Sequence, residues 1–210
     1  FQWNENRWVK LAVQSGAPRG TVQALAVSPS GELWAGFGGG MAVYNGETWT
    51  TYGPDEGLTI GSVRAFVFNE EGDVWVGAAP SSPGQKDGGL FFYDGDGWTA
   101  FNMNRTNTAY PGPAADPSGD WINDLALDAV GQLWVGAQAY ALSKPNWVVG
   151  GVSVYTGDVV SGVSGDVGWT NYTPDNGLIS DYVTALAVDA AGRTWVGTRG
   201  GLNMFDAGQW

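Results

Sequence analysis

Four times this chain repeats one fifteen-residue phrase, an alternating apolar stretch, a Gly turn and a short aromatic stretch, beginning at Val22, Val63, Ile122 and Val183 and ending at Gly36, Gly77, Gly136 and Gly197. In every copy a Trp stands twelve residues after the opening β-branched residue (Trp34, Trp75, Trp134, Trp195), and the closing Gly follows two residues later. A second signature follows each phrase, an aromatic residue five positions before a Trp: Tyr44 and Trp49, Tyr93 and Trp98, Phe205 and Trp210, with Trp3 and Trp8 forming the same pair at the start. In the third copy Tyr155 and Trp169 are fourteen apart, which reads as the same hairpin with nine residues added to its turn. Internal repetition of this kind means that one supersecondary unit is stacked on copies of itself.

The spacings set the unit. Trp8 to Trp34 and Trp49 to Trp75 are each 26 residues, while Trp34 to Trp49 and Trp195 to Trp210 are each 15, giving a 41-residue period. Helical repeats of about this length exist, but local alternation, the Asn45-Gly46 and Asp94-Gly95 turns and the β-branched and aromatic content argue for strands. The expected fold is all-β, a β-propeller of four-stranded antiparallel blades with four repeats plus a partial N-terminal one, as an arc of a larger propeller. In the first blade the strands A to D are predicted near 22–28, 33–37, 40–44 and 48–52. Residues 1–210 then form one propeller domain or fragment: 1–13 end a preceding blade, 21–53, 62–102 and 121–173 are blades, and 182–210 is a blade lacking most of its last strand. Ten of the 12 Trp fall in repeated slots and read as fillers between blades, leaving Trp121 and Trp147 outside the pattern.

At Asp189-Ala-Ala-Gly-Arg-Thr-Trp195-Val-Gly-Thr-Arg-Gly-Gly-Leu-Asn-Met-Phe-Asp206 the chain resembles the two-component regulator propeller repeat. The stretch from Pro174 through Gly177-Leu178 to Asp189 is similar to that family's connection between blades. Ser28 and Asn69 depart from the pattern where the family favours Asp, as do Phe37, Ala78 and Ala137 where it favours Thr. The resemblance implies a bacterial or archaeal extracytoplasmic module, periplasmic, cell-surface or secreted, of the type that forms the sensor region of membrane-spanning histidine kinases and recurs in secreted multidomain proteins.

Composition narrows the chemistry. Nine Lys and Arg face 21 Asp and Glu, and a net charge of −12 without a basic stripe repels phosphate backbones, so no nucleic-acid partner is expected. The absence of Cys and His removes thiolate and imidazole sites and the commonest general base, and the chain is read as a non-enzyme with no cofactor, no metal and no catalytic residue. No apolar run of membrane-spanning length occurs, so no direct membrane insertion is expected. Asp94-Gly-Asp-Gly97 looks like the opening of a calcium loop but lacks the later ligands, and reads as a hairpin turn.

Four insertions interrupt the 41-residue unit, around 79–87, 105–120, 138–149 and 157–167. Strand direction puts B-to-C and D-to-A loops on one face and A-to-B and C-to-D loops on the other, so three of the four crowd one face. They carry Gln85, Lys86, Asp87, Tyr110, Asp120, Trp121, Tyr140, Lys144 and Trp147, aromatic and hydrogen-bonding groups suited to stacking on a sugar or holding a peptide. These nine are the candidate ligand-binding residues. The bland alternative is that the loops pack on one another. A glycan or peptide ligand and other protein domains or subunits are the expected partners. A structural module in a surface assembly is the second reading, and a carboxylate-based glycan-active enzyme using Asp87, Asp116 and Asp120 is the third.

Overall fold

A computed structural model describes residues 2–4, 6–9, 20–56, 58–82, 85, 87–101, 119–141, 148–155 and 168–210, with only the backbone of 2–4, 8, 9, 56, 140, 141, 148 and 149. A short hairpin comes first, β1 (Gln2–Asn4) and β2 (Arg7–Val9), with Trp3 opposite Trp8. Three four-stranded antiparallel sheets follow in meander order. They are β3 (Ala24–Val27), β4 (Leu33–Phe37), β5 (Gly40–Tyr44) and β6 (Trp49–Tyr52); β7 (Ser62–Phe68), β8 (Val74–Ala79), β9 (Gly89–Tyr93) and β10 (Trp98–Phe101); and β11 (Ile122–Leu127), β12 (Leu133–Ala141), β13 (Val148–Tyr155) and β14 (Trp169–Tyr172). The last sheet has three strands, β15 (Val183–Val188), β16 (Thr194–Thr198) and β17 (Gly201–Phe205). The all-β blade architecture expected from the repeat is thus what the chain forms. Among the described residues β1 and β2 pair with each other and not with β17, as expected if the N-terminal strands do not complete the fourth blade.

The repeated residues explain why each blade forms. Tyr44 faces Trp49, Tyr93 faces Trp98 and Tyr155 faces Trp169 across the outer hairpins, with ring centroids 5.0, 4.8 and 4.9 Å apart. Such cross-strand aromatic pairs are the local glue of a sheet. The long third hairpin therefore keeps its register despite the added turn residues. In the first two hairpins Asn45 and Asp94 each accept two turn amides through Oδ1, and Gly46 and Gly95 take the positive φ that closes the turn. The same amides, Gly97 first, hold the Asp94 carboxyl below the usual range, which is the chemistry of a turn.

Between blades the core is aromatic. Trp34 stacks on Tyr52 at 6.2 Å and meets Phe66 and Phe68 of the next blade edge-on. Trp75 lies 5.3 Å from Phe101 and 6.1 Å from Tyr155 of the next blade, and Trp134 packs on Phe205 and Trp210 in the same way. The Gly that closes each phrase is a contact requirement. A Cβ at Gly36, Gly77 or Gly136 would lie 2.5–2.7 Å from a methyl of Val63, Ile122 or Val183, the β-branched residue that opens the next phrase. Gly therefore lets each inner strand seat on the preceding blade.

One insertion is built differently from the expectation. The sequence puts 138–149 in a loop, yet Tyr140 pairs with Val149 and Ala141 with Val148, so part of it lengthens β12 and β13 beyond a register shift after Ala137. Backbone amides and carbonyls satisfy each other across the added pairs, which is why extra residues can extend a hairpin as readily as a loop.

Candidate functional site

The four inner strands run side by side, β3 against β7, β7 against β11, and β11 against β15. In β7, β11 and β15 the pairing slips once near the start, between Val63 and Ala65, Ile122 and Asp124, and Val183 and Ala185. Each slip is a bulge that leaves one residue unpaired, Arg64, Asn123 and Thr184, and a bulge of this kind re-aims a side chain. Together with Gln23 of the first blade, these residues line a cavity of about 360 Å³ at the start of the inner strands. Gln138 and Arg199, in the same slot four residues after the Trp of their blades, and Tyr182, just before β15, complete the lining.

The cavity is tied together from blade to blade. Arg64 Nη1 donates to Asn123 Oδ1 at 3.4 Å, and Asn123 Nδ2 donates to the Val183 carbonyl at 2.7 Å. The free inner edge of β15 is met further along by Asp124, whose Oδ2 accepts from the Leu186 amide at 2.8 Å while Oδ1 accepts from Leu125 at 2.9 Å. Burial pushes the Asp124 carboxyl up, against the pull of those two amides. Thr184 Oγ1 donates to the Gly197 carbonyl, and the Arg199 guanidinium carbon lies over Tyr182, 3.6 Å from its ring centroid. The result is a polar recess fixed by backbone, side chain and stacking, a geometry that can hold a small ligand by hydrogen bonds and one aromatic face.

The recess lies at the end of the inner strands where the D-to-A connections enter, the end at which the sequence placed three insertions, but other residues line it. Gln85 is exposed, its amide bonded to the Ser82 carbonyl. Asp87 Oδ1 accepts from the Ser81 amide, and its carbonyl accepts from Gly61, so that residue closes the loop onto the approach to its own blade's inner strand. Asp120 is buried, and the Trp121 carbonyl accepts from the Gln138 amide at 2.8 Å, next to the recess. Tyr140 lies in β12. Lys86, Tyr110, Lys144, Trp147 and Asp116 lie outside the described residues. None of Gln85, Asp87, Asp120 and Trp121 lines the cavity. The signal that could have found it is the second residue of each phrase, Gln23, Arg64, Asn123 and Thr184, polar in all four copies directly after the opening β-branched residue.

Residues 177–200 match the family model described as two component regulator propeller. The chain carries that propeller repeat. The matched span holds Tyr182, Thr184 and Arg199, so the repeat itself contributes to the recess. No curated protein matches the sequence. Among solved structures, the extracellular domain of a protein assigned as a hybrid two component system of B. thetaiotaomicron superposes with a TM-score of 0.61 at 16% identity, over 89% of this chain and 22% of its own. PorZ, an essential surface component of the type-IX secretion system of Porphyromonas gingivalis, gives 0.62 at 22% identity, over 96% of this chain and 28% of its own. A protein assigned as a gluconolactonase gives 0.55 at 16% identity, over 89% of this chain and 60% of its own. What is shared at these identities is the fold. The chain spans about a quarter of the length of the first two. Among the described residues no helix is long and apolar enough to cross a membrane, and no group of three His, Cys, Asp or Glu gathers to hold a metal.

Proposed function

We propose that this chain is a non-catalytic, extracytoplasmic recognition module that binds a small glycan or peptide ligand in the recess at its axis, as the sensor region of a regulator would. The observation that carries the reading is the alignment of Arg64, Asn123 and Thr184, each lifted out of its strand by a bulge and turned to one cavity. The propeller repeat at 177–200 supports the sensor assignment, and the extracellular setting of one solved propeller of this shape supports the location. The test is capture on glycan and peptide arrays by the full chain and by Asn123→Ala and Tyr182→Ala. Loss of capture in both, with a folded chain that still unfolds cooperatively, is the expected result. Capture that survives both and disappears in Trp147→Ala would move the site to the insertions.

A second reading, an interaction module in a surface assembly, is favoured by one observation. Leu25 and Val27 on β3 and Leu202 on β17 are each 60–65% exposed, on the first and last blades. Apolar residues on the flanks of an arc are suited to cover by another domain or subunit. The two readings are compatible, since the recess and these flanks are separate surfaces. Catalysis by Asp87, Asp116 and Asp120 has less support: Asp87 is engaged with its own loop and Asp120 is buried.

A further inference from the structure

Resting on the recognition reading above, we infer that the axial recess is an anion site whose ligand is a small hydroxylated carboxylate of the sugar-acid class, its carboxylate held by Arg64 and Arg199. The argument begins with charge. Of the four cations among the described residues, Arg193 is paired with Asp189 at 2.7 Å, whereas Arg7, Arg64 and Arg199 have no carboxylate within 4 Å among the described residues, and the last two line the recess. In a chain with 21 acidic residues, the recess lining contains none. The inner-strand carboxylate nearest in sequence, Asp124, is committed to the Leu125 and Leu186 amides, and it is its neighbour Asn123 that faces the cavity.

Donor capacity points the same way. A guanidinium has five N–H donors and no acceptor. Arg64 uses one of them in a long bond to Asn123, and Arg199 sits over the Tyr182 ring, a contact that spends none of its N–H groups on an oxygen acceptor. The Oδ1 of Asn123 already receives Arg64, one N–H of its Nδ2 goes to the Val183 carbonyl and the other remains, and the Thr184 hydroxyl donates to Gly197. Spare capacity is therefore mostly N–H, and the complementary ligand is rich in acceptors and negative. Gln23 and Gln138 can both donate and accept, which suits hydroxyl groups, and the volume of about 360 Å³ lies at the small end of ligand cavities. The overall charge of −12 does not cancel this local field, because exposed charges beyond about 8–10 Å are screened at ordinary ionic strength.

The experiment is a titration of the ¹⁵N-labelled full chain with glucuronate and, separately, with glucose, followed at the Arg side-chain Nε–H groups and the recess amides. Glucuronate should shift these signals and glucose should bind at least about tenfold more weakly. Arg64→Gln and Arg199→Gln should each weaken glucuronate by about tenfold without moving the unfolding temperature, and added salt should weaken it further. Equal binding of the two sugars, lost in Tyr182→Ala, would overturn the anion inference and leave the recognition reading standing. Array capture that survives both Asn123→Ala and Tyr182→Ala, with no recess signal moved by either sugar, would overturn both. Glucuronate binding undisturbed by both Arg variants would overturn the site.

Discussion

In the first two blades the buried tryptophan of the second strand keeps an indole N–H with no acceptor among the described residues, and in the last two the same nitrogen is tied to a carboxylate. The difference lies in one residue at the start of the turn between the first and second strands. Ser28, Asn69, Asp128 and Asp189 all accept the amide four residues on, from Glu32, Asp73, Gln132 and Arg193, at 2.8–3.1 Å. Any of these side chains can therefore close the turn. Only Asp has a second acceptor oxygen, and it takes Trp134 Nε1 at 3.1 Å and Trp195 Nε1 at 2.9 Å. Asn69 has an NH₂ there, which donates to Asp73 instead, and Ser28 has no second oxygen. One slot thus does two tasks in half the molecule and one in the other half.

Removing the double role should have the largest effect. Asp128→Ala strips the turn of its acceptor and orphans the buried Trp134 indole, and about 3 kcal/mol of stability should be lost in urea unfolding. Asp128→Asn keeps the turn and orphans only the indole, reproducing Asn69 with Trp75, and should cost about 1 kcal/mol. Equal losses in the two variants would mean that the indole bond contributes nothing.

A second contrast separates inner blades from the last one. Gly136→Ala drives a methyl into Val183, a stiff β-branched side chain, and should cost about 2 kcal/mol by overpacking. Gly197 occupies the same slot, but a Cβ there would meet its nearest neighbour only at 3.4 Å, so Gly197→Ala should leave the unfolding midpoint nearly unchanged. A large loss from Gly197→Ala would show that another blade or subunit rests on that face.

The comparison can also be run forward, for a smaller gain. Ser28→Asp alone gives Trp34 an acceptor but puts it beside Glu32, whereas the fourth blade has Arg193 at the corresponding position. The pair Ser28→Asp with Glu32→Arg should stabilise by about 1 kcal/mol in the same assay, and Ser28→Asp alone by less. No difference between the pair and the single change would remove the Arg from the account.

Much of this was legible in the chain, for physical reasons. Trp and Gly at fixed spacing report packing that is the same in every blade, so repetition exposes it, and the departures at Ser28 and Asn69 coincide with the two second-strand indoles, Trp34 and Trp75, that lack an acceptor among the described residues. The axial recess was harder to see. Gln23, Arg64, Asn123 and Thr184 each follow the β-branched residue that opens a phrase, but a bulge is a property of two strands pairing, and no single strand announces it. Insertions stand out in the sequence because they break the period. Asp87 and Asp120 turned out to face loop amides and the interior, tasks that long loops impose on their own polar groups.

Acid offers the finest test of the difference between the halves. The Asp189 carboxyl is held well below the ordinary range, first by the Trp195 indole and then by the Arg193 and Ala191 amides and the Arg193 side chain. A carboxyl whose pKa is lower folded than unfolded adds stability that is complete above its unfolded value, about 4, and drains away as pH falls through the folded one. The gap in unfolding temperature between the natural chain and Asp189→Asn should therefore be constant from pH 7 down to about pH 5 and narrow steadily below about pH 4. The other acidic residues titrate in both proteins and largely cancel in the difference. The Ser28→Asn variant supplies the control, because a neutral amide replacing a neutral hydroxyl should give a gap that does not change over the same range. A gap at Asp189 that stays fixed to about pH 3 would mean that the Trp195 bond does not depend on the charge, and the distinction between the two halves of the molecule would reduce to geometry.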